Sequence, residues 1–341
     1  MDVLSDVLNA VRLTGAIFFE RRHLHAPWVG ESPHSAAIAS MVMPEAGHVI
    51  SFHAILSGSC WAALADSADT STQFNAGDIV LYPMGDANVL SSAPGMRGTP
   101  DLEQYARPKH RPLPIVTHRD SEAAEYCHLV CGYFGCDARP FNPLLSALPR
   151  LLHLPGAAER SDWIGHFIRV AVEESNAKRP GGEAVLERLS EMMFVDVVRR
   201  HLETLPAEQT GWLAGLRDRF VGRALGLLHE RPSHHWTIDA LGDAVGLSRS
   251  ALHQRFAELV GQPPMQYLAQ WRMQVASRLL LESTMNVASI ALETGYDSEA
   301  AFSRAFKRRV GVPPATWRRQ RTARVPGIMS ASSPAMPADA S

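Results

Sequence analysis

Two sets of residues carry chemistry by type and spacing. The first is Cys127-His128-x2-Cys131-x4-Cys136. On a strand, Cys127, Leu129 and Cys131 share one face, and His128 and Val130 share the other. Thiolates beside histidines hold zinc or another transition metal, with Cys127 and Cys131 as candidate ligands. Accessible thiolates sense oxidants. A buried cysteine is a small apolar filler. The residues leave all three readings open, and Cys60, on another strand, can join either site. The second set is Arg249, Ser250, His253 and Gln254, followed by Ser298, Glu299, Ala300, Ser303, Arg304 and Lys307. Arginine takes guanine O6 and N7 in a bidentate pair, glutamine takes adenine N6 and N7, and glutamate accepts from cytosine N4. The bland reading of each is a solvated side chain or a phosphate contact. Neither G-x-S-x-G nor G-x-x-x-x-G-K occurs, so hydrolase and phosphate-loop chemistry have no footing.

The second set is positioned by one pattern written twice between Trp236 and Arg319. Phe256 and Phe306, Gly261 and Gly311, Pro263-Pro264 and Pro313-Pro314, and Tyr267 and Trp317 match at an offset of 50. Gly246 and Gly295 match at 49, so the second turn gains one residue. A spaced repeat of this length is one supersecondary unit used twice. Ile238, Leu241 and Val245 mark a helical face, and Gly246 stops that helix by tolerating positive φ. Ser248 can cap the next helix, whose buried stripe is Leu252, Phe256 and Leu259. Copy two repeats this with Ile290, Gly295, the cap candidate Asp297, and Phe302, Phe306 and Val310. A glycine-centred turn between two helices places the second in a DNA major groove, and the second residue set then falls on its outward N-terminal half.

Charge agrees with that placement. From Arg217 to Thr322 there are 15 Lys+Arg against 9 Asp+Glu, a net of +6, which leaves −8 for the rest of the chain. A basic module joined to an acidic one supplies the salt-dependent part of DNA binding. The segment Ala291-x3-Gly295-Tyr-x5-Phe302-x3-Phe306-Lys-x3-Gly311-x-Pro313 resembles the signature of AraC-type transcription regulators over most positions. The resemblance covers the last third of the chain. It implies base contacts at the positions named, double-stranded DNA as a partner, recruitment of RNA polymerase, and two units on a shared helix, Pro264 to Leu281, entering successive major grooves.

The front of the chain reads as β structure. Val3 to Val11 is a short amphipathic helix. Ala36–Met43, Val49–Leu56, Trp61–Ala65, Asp78–Tyr82 and Ala124–Tyr133 are strand-like, with turns at Pro44–Gly47 and Asn75–Asp78. The segment His53-x4-Gly58 followed by Phe74-x2-Gly77-Asp78-Ile-Val-Leu-Tyr-Pro83 resembles the cupin sensory domain of one AraC branch. It implies a small β-barrel that holds a small-molecule effector, with His53, Cys60, Cys127, Cys131 and Cys136 as candidate sensing residues. Metal-dependent cupins carry His-x-His with a downstream glutamate on one strand. Here His48 and His53 do not form that pair, and His23-x-His25 precedes the strands. A cupin-type metal enzyme is therefore the alternative, a redox-sensing regulator acting through Cys127, Cys131 and Cys136 another, and a plain interaction module a third.

The expected fold is α+β in two domains. Residues 1–140 form a cupin-like barrel, and 141–210 a helical linker, which the resemblance implies mediates homodimerisation and which otherwise forms an intramolecular bundle. Residues 211–322 form an all-α double helix-turn-helix, and 323–341 a disordered tail. In the linker, Trp163, Phe167 and Val170 recur at helical spacing, then Val185, Leu189, Met192, Phe194, Val195 and Val198. Residues 94–123 form a proline-rich loop, read either as a lid or as an insertion. With no apolar run of about 18 residues, no secretory leader and few cysteines, the cytoplasm is the expected compartment.

Overall fold

The computed structural model describes residues 2–23, 26–106, 115–118, 127–156, 163–177, 179–206 and 208–322. The expected tail, His25 and much of the proline-rich loop lie outside them. The chain enters through α1 (Val3–Ala10), where the Asp2 side chain accepts from Ser5 N at 3.0 Å. Then come β1 (Thr14–His23), β2 (Val29–Ser32), α2 (Ser35–Val42), β3 (His48–Leu64), β4 (Thr72–Asn75), β5 (Ile79–Tyr82), β6 (Asn88–Ser91), β7 (Ile115–His118) and β8 (Cys127–Cys136). The front half ends with α3 (Pro143–Ala147), β9 (Leu152–Leu154), α4 (Trp163–Ala177) and α5 (Gly182–Thr204). The back half is all helix: α6 (Trp212–Arg217), α7 (Arg219–Glu230), α8 (Ile238–Val245), α9 (Arg249–Val260), α10 (Pro264–Glu282), α11 (Val287–Glu293), α12 (Glu299–Val310) and α13 (Pro314–Thr322).

The strands order as β2-β6-β3-β8-β1-β7, with β4 and β5 also on β3 and β9 on β5. Among the described residues β2 and β7 end this path without pairing to each other. The hinge of the sheet is β3. Its first half pairs with β8 and β5, its second half with β6 and β4. The strand-like runs Val49–Leu56 and Trp61–Ala65 are one strand and not two. The chain instead passes through a register shift between Ile55 and Ser57, with Gly58 at φ 73°, and continues. An irregularity of this kind bends a strand without ending it.

Two further expectations are corrected. Ala36–Met43 is not a strand but helix α2. Its alanine and methionine residues favour helix, and His34 Nδ1 accepts from Ala36 N at 3.1 Å to start it. On α5 the buried stripe is Leu186, Ser190, Met193, Phe194, Val197 and Val198, while Val185 and Met192 are 42% and 55% exposed. The reason is steric: α5 crosses β1 so closely that a Cβ on Gly15 would lie 2.5 Å from Ser190 Cβ. Only a small residue can face that contact, and Ser190 sets the helix rotation.

Aromatic and aliphatic residues of β1, β3, β6 and β8 form one core with Trp28, Ile38 and Tyr105. The opposite sheet face packs on α5 in a second core, which continues through α1 and α3 into α6, α7, α9 and α10. The two domains therefore share buried surface. Gln274 of α10 is 1% exposed at this junction. Its Nε2 donates to Ala10 O at 2.7 Å, and its Oε1 accepts from Phe141 N at 3.1 Å. No helix among the described residues is long and apolar enough to cross a membrane.

Candidate nucleic-acid interface and sensory cavity

Each helix-turn-helix is built by local rules. In the first, Thr237 caps α8 by accepting from Ala240 N at 3.1 Å, and Gly246 at φ 81° ends it. Ser248 Oγ then accepts from Ala251 N at 3.3 Å and starts α9. Leu252 and Phe256 are fully buried, so Arg249, Ser250, His253 and Gln254 stand exposed on the outer face. In the second, Asn286 caps α11 and Gly295 turns at φ 77°. The cap of α12 is Ser298, whose Oγ accepts from Ala301 N at 3.2 Å, and not Asp297. The residue gained in the second copy lies between Gly295 and Ser298, which shifts the cap by one. Phe302 and Phe306 are buried, leaving Ser298, Glu299, Ala300, Arg304 and Lys307 exposed and Ser303 partly so.

The outer faces differ in charge. On α9, Arg249 lies 3.5 Å from Asp239 of α8, and Gln254 Nε2 donates to Glu258 Oε1 at 2.8 Å. Arg255 is held by Asp218, the cap of α7, at 2.5 Å. On α12, Arg304, Lys307, Arg308 and Arg309 have no ion-pair partner among the described residues. Arg308 and Arg309 are absent from the sequence-derived set, although the run Lys307-Arg-Arg309 signals them. Several other basic residues of the module are structural. Arg272 donates to Pro232 O and His234 O, and Arg318 to Leu280 O and Met285 O. The net charge counted from sequence therefore overstates what faces DNA, and of α9 and α12 it is α12 whose basic side chains carry no ion pair among the described residues.

Among the front-half residues, Phe19 and Arg21 of β1, His53 of β3, and Leu129, Cys131 and Tyr133 of β8 share one sheet face. They line a cavity whose other walls include Trp28, Leu90 and Tyr105. His53 is 5% exposed, and burial lowers its pKa to about 4. Cys60, Cys127, Cys131 and Cys136 are all buried. Cys60 touches Cys127, and burial pushes the thiols of Cys131 and Cys136 up to about 12. Cys136 lies apart from these, against Asn142. His128 is drawn away on the opposite face, where Nε2 meets Glu20 Oε1 at 2.9 Å. Among the described residues no three His, Cys, Asp or Glu side chains gather to hold a metal ion.

Comparison with known proteins matches both halves. A cupin family model matches residues 2–203, and a helix-turn-helix domain model matches residues 241–320. A Streptomyces lividans protein described as an AraC-like transcription regulator is 32% identical, over 94% of this chain and 99% of its own length. The transcriptional regulator AlkR of Acinetobacter baylyi is 31% identical, over 94% of this chain and 100% of its own length. The DNA-binding domain of AdpA, crystallised with target DNA, is 29% identical over 32% of this chain and 97% of its own, with a TM-score of 0.31. Paired helix-turn-helix units behind a cupin domain, matched along nearly the whole chain, identify a DNA-binding transcription regulator and not an enzyme: the protein belongs to the AraC-type (AraC/XylS) family.

Proposed function

We propose that α9 and α12 enter successive major grooves on one face of DNA, and that a small molecule bound inside the sheet domain sets how well they do so. The observation that carries the first half is the pair of exposed, polar N-terminal helix ends mounted on α10. That helix has 19 residues and is about 28 Å long, close to the roughly 34 Å between successive grooves. In this reading Arg249, Ser250, His253 and Gln254 read one half-site, and Ser298, Glu299, Ser303 and Arg304 the other. Lys307, Arg308 and Arg309 meet phosphates. The cavity around His53 and the core shared by the two domains support the second half.

The same reading makes the protein a homodimer in the cytoplasm that works with RNA polymerase. Val185 and Met192, exposed on α5, favour that helix as the dimer contact. The curved strands around β3 act as a cupin-type barrel. A second reading, an oxidant-responsive regulator, draws on the Cys60–Cys127 contact. A metal-loaded form would use Cys127 and Cys131 as ligands. Gel-shift titration of the full chain against DNA enriched by in vitro selection tests the proposal. Affinity is expected to fall steeply with salt, and footprints to cover two adjacent major grooves. Protection of a single groove would overturn the two-groove arrangement.

A further inference from the structure

The two ends of the sheet-domain cavity differ chemically. The cavity volume is only about 40 Å³. The site is thus narrow, and aromatic and aliphatic side chains share its walls with the polar groups of Arg21, Glu31, Ser32, His53 and Gln104. At one end is Arg21. Its guanidinium lies 4.7 Å from the centre of the Phe19 ring, and Nη2 donates to Gln104 Oε1 at 2.5 Å. No carboxylate among the described residues pairs with it. Glu31, which also lines the cavity, is held by Arg97 and by Gly98 N. At this end a neutral amide oxygen from Gln104 occupies a place suited to an anion.

At the other end is His53. Its Nε2 meets Asn88 Oδ1 at 3.2 Å. The Asn88 amide nitrogen donates to Ser51 Oγ and Asp86 O, so Oδ1 is the acceptor and Nε2 carries the proton. Nδ1 is therefore a buried lone pair, and it has no partner. Burial keeps the ring neutral, so this nitrogen accepts and does not donate. A guest that satisfies it must bring an O–H or N–H.

Strand register fixes how far apart these ends are. His53 is opposite Cys131, Cys131 is opposite Phe19, and Arg21 is two residues beyond Phe19. Two strand spacings and two residue rises put the His53 and Arg21 Cα atoms about 12 Å apart. The two side chains grip opposite ends of a guest. Between them on the sheet face lie Phe19, Cys131 and Leu129, and Trp28 and Tyr133 line the same cavity, so that a flat apolar ring meets aromatic and aliphatic surface.

We propose that this cavity binds a small aromatic acid, with its carboxylate on Arg21 in place of Gln104 and a hydroxyl at the far side of the ring donating to His53 Nδ1. The proposal rests on the reading of the sheet domain as an effector-binding unit, and it names the class of effector. Displacement of Gln104 also explains how a guest enters so tight a space. Gln104 and Tyr105 lie on a short 3-10 turn at Glu103–Tyr105 that Tyr105 Oη fastens to Ser32 Oγ at 3.2 Å.

The test is calorimetric titration of the full-length protein with 4-hydroxybenzoate, 2-hydroxybenzoate, benzoate and 4-hydroxybenzamide. 4-Hydroxybenzoate is expected to bind most tightly, with benzoate and 2-hydroxybenzoate about tenfold weaker for lack of a donor at the far end. Arg21→Gln is expected to weaken 4-hydroxybenzoate at least about tenfold and to leave 4-hydroxybenzamide unchanged. His53→Gln should remove the preference for the 4-hydroxyl; if that buried variant does not fold, the half-exposed Arg21→Gln still decides. Equal affinity across the panel, no binding by any member, or an Arg21→Gln variant that binds like the parent overturns the assignment. The effector reading fails separately. If 4-hydroxybenzoate binds as described but leaves DNA affinity unchanged at saturation, the site stands and its sensory role falls. If none of the panel binds while an uncharged or cationic compound shifts DNA affinity, sensing stands and the aromatic acid is overturned.

Discussion

At the scale of residues, the outer face of α12 is the sharpest commitment. Arg304 is exposed, unpaired among the described residues, and one turn inside a helix whose first turn faces outward. A bidentate arginine–guanine contact discriminates by about 1–3 kcal/mol. Arg304→Ala is therefore expected to weaken binding to selected DNA by about that much and to leave non-specific DNA binding nearly intact. Equal loss on both DNAs in a gel-shift titration would make Arg304 a phosphate contact. The thiols sit at the other extreme. Their burial and the raised pKa of Cys131 and Cys136 leave little thiolate at neutral pH. Ellman's reagent is expected to label less than one thiol per native chain within minutes and all after unfolding. Fast labelling accompanied by loss of DNA binding would favour the oxidant reading instead. His229 offers a pH test. It stacks on Trp271 at 3.9 Å, meets Tyr267 Oη at 2.8 Å, and has Asp6 of α1 3.9 Å away. Burial lowers its pKa from 6.5 to about 3. The folded state then refuses a proton that the unfolded chain accepts, so this stabilisation is complete above about pH 6.5 and is lost as pH falls toward 3. Urea midpoints at pH 7 and pH 5 should differ less for His229→Gln than for the parent; an unchanged difference would mean that His229 does not govern the slope.

At the scale of elements, the two turns of the repeat give a comparison that sequence alone could not rank. Both glycines adopt left-handed φ, at 81° and 77°. Around Gly246 an added Cβ meets nothing within 4 Å, whereas at Gly295 it would lie 2.8 Å from Ser233 O and 2.6 Å from Arg272 Nη2. Gly246→Ala should cost only the conformational term, about 1–2 kcal/mol. Gly295→Ala should cost clearly more, because the oxygen it meets is backbone. Denaturant melts giving equal losses would show that the second turn relaxes freely. This contrast marks what was legible. Helix ends, turn glycines and buried stripes depend on neighbours three or four residues away, so the repeat could be read with one cap displaced by a residue. The sheet depends on distant partners. Thr14–His23 carries charges at Glu20, Arg21 and Arg22 and reads poorly as a strand, yet β8 pairs along its whole length. The cavity was legible only as His53 and Cys131, because Arg21 joins them through a register that no local pattern encodes.

At the scale of the molecule, the question is how a cavity on one side of the sheet reaches helices that read DNA. The opposite sheet face shares a core with α6, α7 and α10, so the two halves are packed as one body at that junction. The rings of Phe141 and Tyr267 meet in a T-shaped pair with centroids 5.3 Å apart, and Tyr267 Oη accepts from Trp212 Nε1 at 2.9 Å. Gln274 is the polar centre of this seam, joining the end of α1 and the residue before the Asn142 cap of α3 to the helix that carries both reading units. Gln274→Ala would leave Ala10 O and Phe141 N without their partner in a buried setting, at about 1–3 kcal/mol for each. Both bonds cross between the halves and lie within neither one. The expected result in calorimetry is therefore a change of pattern: one cooperative transition in the parent, and two in the variant, with the sheet domain and the helical domain melting apart. A variant that melts in one transition, merely at lower temperature, would show that the apolar part of the seam couples the halves by itself. Two transitions already present in the parent would show that the shared core does not couple them at all, and any effect of the cavity on DNA binding would then have to travel by another route.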